Sequence, residues 1–590
     1  MSQPDWTKRW KRGHNVLVVW EYGTGANRKT YRFGLHAKWV KYAKYNKHNI
    51  ERLPTTPDGL GHNTYLSGYY HNCLVDIGPL RQGCGTEVNP KIVFPDFTFS
   101  INRDKFDETK EFVEDLKTTN HFMDSAIPGY VRVYLTMHGS EPDPVEDLMF
   151  VGVPYNDSIK VYPDKVTVRL TDRLATVQSK SIATTEFDKS TYSLPQFGAD
   201  ENKPVPVVYG TFAADYMGTL EWLDCVILEE YSTGTSDWRV QFCQAAGSGL
   251  YAGTPQTVVR YDQNGAVVNE YNLDPSPGGA TNSAYTTGVW GLTSPTMTDT
   301  PWNSGHSLKM DQFFGMKNSS GDLINNPAET WYHILRTFGG LTDSDIDDSW
   351  EDVRDYFDAW SPSIQTNILI DEPTSVIDVL GKLCKECNLL MFTRRGKFKL
   401  LLGPAHEQTI LSTNVAYRED DFIMDGLSYG MLNIVSGQTK GIGTICGKVF
   451  YNLKQSNGEK PPDPSTGFIF SDPSYNSGGG NYYNMKTQKY DGETGYYYTF
   501  DIDFTNSVYG SGGEFDMIDM MLELMNGRKR LFEFDVNGGF MPYGIGSRLH
   551  VRKRSPATIA DPVFDDVSII IVEKETDLVE ATGKVRAIEL

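Results

Sequence analysis

Apolar and polar residues alternate in short runs along much of this chain, the period-two pattern of strands buried on one face. Phe97, Phe99 and Ile101 form one run, Val131, Val133, Leu135 and Met137 a second, and Val166, Val168 and Leu170 a third. Between the first two, Phe106 to Met123 is acidic with apolar residues at Phe112, Leu116 and Phe122, which predicts a short helix. Pro128-Gly129 then turns the chain into the next strand. A second β region runs from Gly210 to about Asn326. Its clearest hairpin is Thr257 to Tyr271, where Val258, Val259 and Tyr261 approach Asn264-Gly265 and Val267, Val268 and Tyr271 leave it. The Gly/Ser/Thr-rich stretch from Pro275 to Ser307 reads as long surface loops.

After Asn326 the period changes to that of helices. Asn326-Pro327 supplies a cap and a first-turn proline, and Trp331, Ile334, Leu335 and Phe338 fall on one face before Gly339-Gly340 stops the helix. A second helix carries Trp350, Val353, Phe357 and Trp360 on one side. A third runs from Pro373 to about Cys387, flanked by a strand at Ile368 to Ile370 and by the hairpin Leu389 to Leu401, which turns at Arg395-Gly396. This is a compact mixed α/β module. The last part begins at Asn433 to Val435 and is interrupted by the polar segment Ser456 to Gly480. Tyr-rich strands come next, then a helix from Glu514 to Asn526, then three strands around Phe532 to Val536, Arg548 to Arg552 and Ser568 to Val572.

The segment Lys203 to Phe212 stands apart. Pro204 and Pro206 hold their neighbours extended, Val205, Val207 and Val208 offer β-branched surface, and Gly210 permits a sharp exit. It reads as an extended strap with a turn at its end.

With 590 residues, the chain exceeds a single core and divides into roughly three to five domains. Its 55 Gly, 33 Tyr and 29 Phe suit mainly β modules with a few helices, and no run approaches the ~20 apolar residues of a membrane-spanning helix. Met1 to Arg12 is polar and basic and does not read as a secretory signal, so the protein is expected to be made and kept in the cytoplasm until something else moves it. The net charge of -21 is unevenly placed. Through Arg52 there are twelve Lys or Arg against three acidic residues, a local +9 that leaves -30 for the remainder. A basic arm on an acidic body suits an intersubunit clamp or an anionic partner, with Lys8, Arg9, Lys11 and Arg12 as candidate partner-binding residues. Interleaved Trp6, Trp10, Trp20, Tyr31, Trp39, Tyr42 and Tyr45 would also suit nucleic acid, but an acidic remainder lacks the basic face that phosphate binding needs.

Candidate chemistry is sparse. Seven cysteines, an odd number without framework spacing, read as free buried thiols. Cys384 and Cys387 form a lone Cys-x-x-Cys with no second pair at ligand spacing, and His62, His71, Cys73 and Cys84 make a looser zinc candidate; the bland reading is preferred for both. Asp343, Asp345, Asp347 and Asp348 resemble the start of a calcium loop, yet Asp348 and Arg354 occupy the places where glycine and glutamate are required. Helix capping is the preferred reading. No metalloprotease, nucleophile-elbow or phosphate-loop motif appears, so no catalytic residue, metal or cofactor is expected. The tyrosines Tyr482, Tyr483, Tyr490, Tyr496, Tyr497 and Tyr498 beside a Gly-rich loop are a candidate sugar-stacking platform, with packing between strands as the alternative.

Module order carries a resemblance. Lys-Pro-Val-Pro-Val-Val-Tyr-Gly-Thr-Phe at 203–212 closes a first β module, Gly340 to Asp347 reads Gly-Leu-Thr-Asp-Ser-Asp-Ile-Asp after a helix, a helix and hairpin occupy Ser375 to Leu401, and Gly544 to Val551 precedes the end. In this order they resemble the baseplate hub or tail-tip proteins of long-tailed bacteriophages, although Ser547 stands where that family commonly has Asp. The resemblance covers most of the chain after about Phe94 and does not match the N-terminal ninety residues, a basic region at 1–93. It implies a multidomain, mainly β fold with tube-like antiparallel domains and a mixed α/β module: a first β hub domain at 94–210, a second β region with long loops at 211–326, the mixed module at 327–430 and a C-terminal β-rich hub domain at 431–590. The implied role is structural, in the virion tail. Members form a symmetric homo-oligomeric ring, commonly a homotrimer, that joins a distal tail or tail-tube protein to a fibre, spike or needle protein, and genome DNA passes through it non-specifically during ejection. A glycan-binding receptor protein for host attachment and a peptidoglycan-degrading tail enzyme are the alternatives.

Overall fold

A computed structural model describes residues 13–22, 29–40, 66, 68–86, 89–103, 105–118, 130–137, 142–145, 147–187, 204–212, 223–224, 226–230, 236–244, 257–262, 264, 266–274, 288–293, 307–310, 313–359, 364–403, 406, 432–434, 440–441, 446–453, 469–470, 483–484, 489–490, 498–504, 507–509, 530–536, 543–551 and 567–589. The chain is mainly β with a few helices, as its alternation predicts.

The first module begins with β1 (His14–Tyr22), β2 (Lys29–Gly34), β3 (Lys38–Val40), β4 (Gly68–Asn72) and β5 (Leu74–Ile77). Next come β6 (Leu80–Thr86), β7 (Asn89–Val93), β8 (Asp96–Asn102), helix α1 (Asp107–Thr118), β9 (Tyr130–Met137), β10 (Leu148–Val161) and β11 (Lys165–Asp172). Nine of these strands form one sheet in the order β3-β4-β2-β1-β9-β10-β11-β8-β5. Because Cys73 alone separates β4 from β5, that path returns to the stretch of chain where it started. The Cys73 amide donates to Gly34 O on β2 (3.2 Å), and its carbonyl accepts from Asn102 N on β8 (2.8 Å), so this residue closes a barrel. Closure removes the unpaired edges that an open sheet would present.

Alternation on β1 serves two cores. Val16, Val18 and Trp20 pack with Phe33, Phe99, Val131 and Val133, while Leu17 and Val19 pack with Tyr70, Tyr134 and Val151. Helix α1 sets Phe112 against Trp20, Tyr31 and Phe33, with ring centroids 5.0–5.2 Å apart and edge-on geometry. Lys29 reaches Asp115 of this helix at 2.5 Å and Glu111 at 3.5 Å. Residues 14–22 and 29–34 are barrel strands, and the described Lys29 is matched by the acidic helix it packs on. Charge counted along the chain concealed this, because strand pairing brings that helix back onto the basic strand.

The C-terminal sheet also draws on strands from the N-terminal part of the chain. After β28 (Leu432–Ile434), β29 (Lys440–Gly441), β30 (Cys446–Leu453), β31 (Ile469–Phe470), β32 (Tyr483–Asn484), β33 (Lys489–Tyr490), β34 (Tyr498–Phe504) and β35 (Ser507–Tyr509) come β36 (Arg530–Val536), β37 (Arg548–Val551), β38 (Val567–Asp577) and β39 (Thr582–Glu589). The sheet runs β28-β36-β39-β38-β6-β7, with β29 on β36 and β37 on β38. Its last two strands thus come from the N-terminal ninety residues, through pairs such as Glu573↔Gly83 and Thr576↔Leu80. In the opposite sense, Leu578 and Ala581 in the β38–β39 turn lie fully buried in the first barrel's core. The two modules are interlocked. Strand β39 was not expected from the sequence, although Val585 and Ala587 are buried and alternate with Lys584 and Arg586.

The mixed module holds α2 (Pro327–Thr337), α3 (Ser349–Ala359) and α4 (Val376–Glu386). Asn326 caps α2 by accepting from Ala328 N at 2.9 Å. The core joins Trp331, Ile334, Leu335, Val353, Phe357, Leu380 and Leu383 with Leu174 and Val177 of a 3-10 helix at Arg173–Ser179, and with Val207 and Tyr209. Leu174, Val177, Ile182 and Ala183, which follow the last strand of the first barrel, thus belong to this core.

The strap lies here. Within it are β13 (Val207–Tyr209) and β14 (Thr211–Phe212), and before it β12 (Ser181–Ile182). The second β region contains β15 (Leu223–Asp224), β16 (Val226–Glu230), β17 (Ser236–Gln241), β18 (Thr257–Tyr261), β19 (Val267–Asp274), β20 (Val289–Thr293), β21 (Ser307–Met310) and β22 (Phe313–Phe314); the mixed module adds β23 (Ile364–Thr366), β24 (Ile368–Ile370), β25 (Thr374–Ser375), β26 (Leu389–Arg394) and β27 (Lys397–Leu402). The strap strand β13 pairs antiparallel with β24. On its other side Met316 N donates to Val208 O at 2.8 Å. Gly210 has φ 84°, and a Cβ there would overlap the Thr366 carbonyl oxygen. Gly210→Ala is therefore expected to destabilise the mixed module by about 3 kcal/mol or more, from left-handed backbone plus overlap. Gly340, at φ 70° with open space around it, is the control, and Gly340→Ala should cost about 1–2 kcal/mol in urea unfolding. Equal losses at the two sites would contradict the packing described.

Candidate functional site

The β26–β27 hairpin is a two-stranded element of Leu389 to Leu402 whose turn, Arg395-Gly396, has φ of 54° and 72°. Two successive positive values give the tight primed turn whose twist matches the strands. This turn inserts between modules. A Cβ on Gly396 would come within 2.6 Å of Val151 in the first barrel, so glycine is required for the approach. Arg173, at the end of β11, donates to Gly396 O at 3.1 Å and forms an ion pair with Asp345. Beside it, Asp172 accepts from Thr393 Oγ1 at 2.9 Å with one oxygen and from Leu174 N at 2.8 Å with the other, capping the 3-10 helix. Burial pushes the Asp172 carboxyl up to about 6, against the opposing pull of these donors and of Arg173.

The other flank of the hairpin meets the C-terminal sheet. Arg548 donates to Leu402 O at 2.8 Å, and Arg394 reaches Ser547 Oγ at 3.5 Å. Ser547 also accepts from Gly544 N at 3.1 Å, so its hydroxyl serves as a turn-capping acceptor. Gly546, at φ 79°, presses its backbone on the hairpin, where a Cβ would come within 2.5 Å of Phe392 and 2.6 Å of Leu401. Deeper in the same contact, Lys574 Nζ donates to Tyr543 O at 2.5 Å. Burial, together with Arg394 and Arg395, lowers the Lys574 ammonium to about 7.

At the strap, Tyr209 Oη and His333 Nδ1 lie 2.6 Å apart in the core. Burial and Arg336 bring His333 down to about 4, so its ring is neutral near pH 7, with Nδ1 accepting from the tyrosine and Nε2–H facing Thr337 Oγ1 at 3.3 Å. These contacts bind elements together. Their chemistry is structural.

The residues singled out in the sequence separate. Lys8, Arg9, Lys11 and Arg12 lie outside the described residues, as do Tyr482, Tyr496 and Tyr497. Tyr483 stands opposite Tyr490 in the β32–β33 pair, and Tyr498 begins β34. His62 is also outside, while His71 pairs with Glu108 at 2.5 Å. Cys73 is at the barrel closure, its thiol pushed up to about 12 by burial, and Cys84 is buried beside Val572 O at 3.7 Å. Cys384 and Cys387 are both buried, and burial raises the Cys384 thiol. Three of the four aspartates diverge to separate partners: Asp343 pairs with Arg336, Asp345 with Arg173, and Asp347 with Lys399 at 3.1 Å. Among the described residues no group of three or more His, Cys, Asp or Glu gathers as a metal ion would require. Asp172, Thr393, Arg548 and Lys574 carried no sequence motif, because their partners lie far away along the chain.

No protein-family model matches this chain, and no curated protein matches it. Among solved structures, it is similar to a tail protein from Neisseria meningitidis MC58, at 7% identity and TM-score 0.36, over 98% of this chain and 96% of that one. A 43 kDa tail protein of prophage MuSo2 from Shewanella oneidensis matches at 9% identity and TM-score 0.32, over 97% of each chain. Likeness this low carries no argument about function.

The junction titrates in opposite senses on its two flanks. Lys574 releases its proton at about 7 in the fold against an ordinary 10.5, so its contribution to stability rises with pH across that window. Asp172 keeps its proton up to about 6 against 3.8, so its contribution falls as pH rises from about 3.8 to 6. Lys574→Met is expected to flatten the stability slope between pH 7.5 and 9.5, and Asp172→Asn the slope between pH 4 and 6, both followed by urea unfolding. Slopes equal to the parent's in both variants would contradict burial of the two groups.

Proposed function

We propose that this chain is a structural hub of a long-tailed bacteriophage, assembling as a ring of three copies at the distal end of the tail tube. The ring joins the tube or distal tail protein to a fibre, spike or needle and surrounds the channel through which the genome leaves. The observation that carries this reading is the interlock of the two β modules. Strands β6 and β7 complete the C-terminal sheet, the β38–β39 turn fills the first barrel, and the β26–β27 hairpin lies against both, its turn at Val151 and its strands at Gly546. A ring that offers two β modules per copy to a sixfold tube needs them at a fixed spacing, and this interlock supplies it. The order of modules along the chain supports the same reading. So does the net charge of -21, because DNA adheres through neutralised phosphates and slides past an acidic wall.

On this reading the chain acts by assembly and carries no catalytic residue. Native mass measurement of the purified protein, with negative-stain images of the particle, tests it. The expected particle holds three chains of 66.3 kDa and shows a central hole. A stable monomer at micromolar concentration would contradict the proposal, as would clearing of a peptidoglycan gel by the pure protein.

A further inference from the structure

The last strands of the chain complete what its first strands begin. Strands β38 and β39 form a hairpin in register from Asp577↔Thr582 beside the turn to Ile569↔Glu589 at the open end. The turn is capped locally, since Asp577 Oδ1 accepts from Val579 N at 2.9 Å and from Glu580 N at 3.0 Å. Ala581 follows at φ 51°, in the left-handed region that returns the chain to β39. These features span five residues, so the turn takes its shape from local sequence.

What the turn fills is distant. Leu578 and Ala581 are fully buried in the core built by Trp20, Phe33, Phe99 and Val131 of the first barrel. His14, at the start of β1, donates from Nε2 to Val579 O at 2.5 Å. Behind the turn, β38 pairs with β6 through Glu573↔Gly83, Lys574↔Gln82, Glu575↔Arg81 and Thr576↔Leu80, and Arg81 meets Glu575 at 3.3 Å. Leu80 is itself part of the barrel core, so β6 ties the hairpin to that core from a second direction. His14 and Val579 stand 565 positions apart along the chain, and Arg81 and Glu575 stand 494 apart.

This separation sets an order of events. The barrel's own strands end at Asp172, and synthesis at about 5–20 residues per second leaves them roughly 20–80 s ahead of the hairpin. Throughout that interval the core lacks Leu578 and Ala581, and β6 lacks β38. Pairing over such a distance is slow in refolding too, because the loop must close before the contacts it makes can stabilise it.

We propose that the β38–β39 hairpin is the lock of the first barrel: the barrel gains a stable core only when the finished C-terminus docks on β6 and seats its turn. A chain that stops short of Val567 then leaves the barrel and the C-terminal sheet both incomplete, so a finished fold reports a full-length chain. The inference rests on the fold alone and is independent of any role in a tail.

Pulse-labelling hydrogen exchange during refolding of the full chain from urea tests it, read by mass spectrometry on peptides from β1, β9, α2 and β38. Amides of β1, β9 and β38 are expected to become protected in one common phase. Leu578→Ser should delay all three by the same factor, at least fivefold, and leave α2 at the parent's rate. Asp577→Ala guards against a first variant that does not fold, because Asp577 is exposed and its side chain caps the turn. It should delay the same three segments together, by at least twofold. Protection of β1 and β9 ahead of β38 in the parent would overturn the proposal, as would an equal delay in α2 or a delay confined to β38. If neither variant folds, the parent's own time courses decide.

Discussion

One tight turn, Arg395-Gly396, sets the arrangement of this protein. Its two positive φ values allow the β26–β27 hairpin to end bluntly, and the missing side chain at Gly396 lets that end reach Val151 of the first barrel. Along the hairpin that it ends converge Asp172 and Arg173 from the barrel, Asp345 from the mixed module, and Ser547 and Arg548 from the C-terminal sheet. Asp172 and Arg548 are charged groups buried in these contacts. Such groups contribute specificity of placement more than stability, because desolvation offsets most of the attraction. What they fix is the relation between modules.

The first barrel and the C-terminal sheet exchange elements in both directions, β6 and β7 one way and the Leu578 to Ala581 turn the other. Separating them would open two cores at once. Among the described residues the second β region meets the body at the β14–β22 pair and in a cluster of Phe187 and Val205 with Val226, Leu228 and Val289.

Local elements were legible in the sequence, and the contacts between them were not. The hairpins at Thr257 to Tyr271 and Leu389 to Leu401, the helix over Asp107–Thr118 and the capped helix at Pro327 arise from alternation, turn residues and caps within a few positions of each other. The strap was readable as an extended segment, but its partner β24 lies far along the chain. Lys29 and Arg32 lie next to Glu108, Glu111 and Asp115 only after folding, so charge counted along the chain did not show this pairing. Strand β39 was missed because Lys584 and Arg586 on its outer face masked the buried Val585 and Ala587. The Thr393–Asp172 and Arg548–Leu402 bonds join residues well over a hundred positions apart, where no periodicity operates. The turn itself was visible as Arg-Gly, and its role as a wedge was not.

The central claim is that this turn holds the frame as one body. It is tested most directly by the distance distribution between spin labels on Asp107→Cys of helix α1 and Asp355→Cys of helix α3, both exposed, at 102% and 68% of their side-chain surface. Pulsed electron spin resonance should give one narrow distance in the otherwise native chain, and a broad or displaced one when Gly396→Val is added. A broad distribution in the native chain, or the same narrow one with valine at 396, would contradict it.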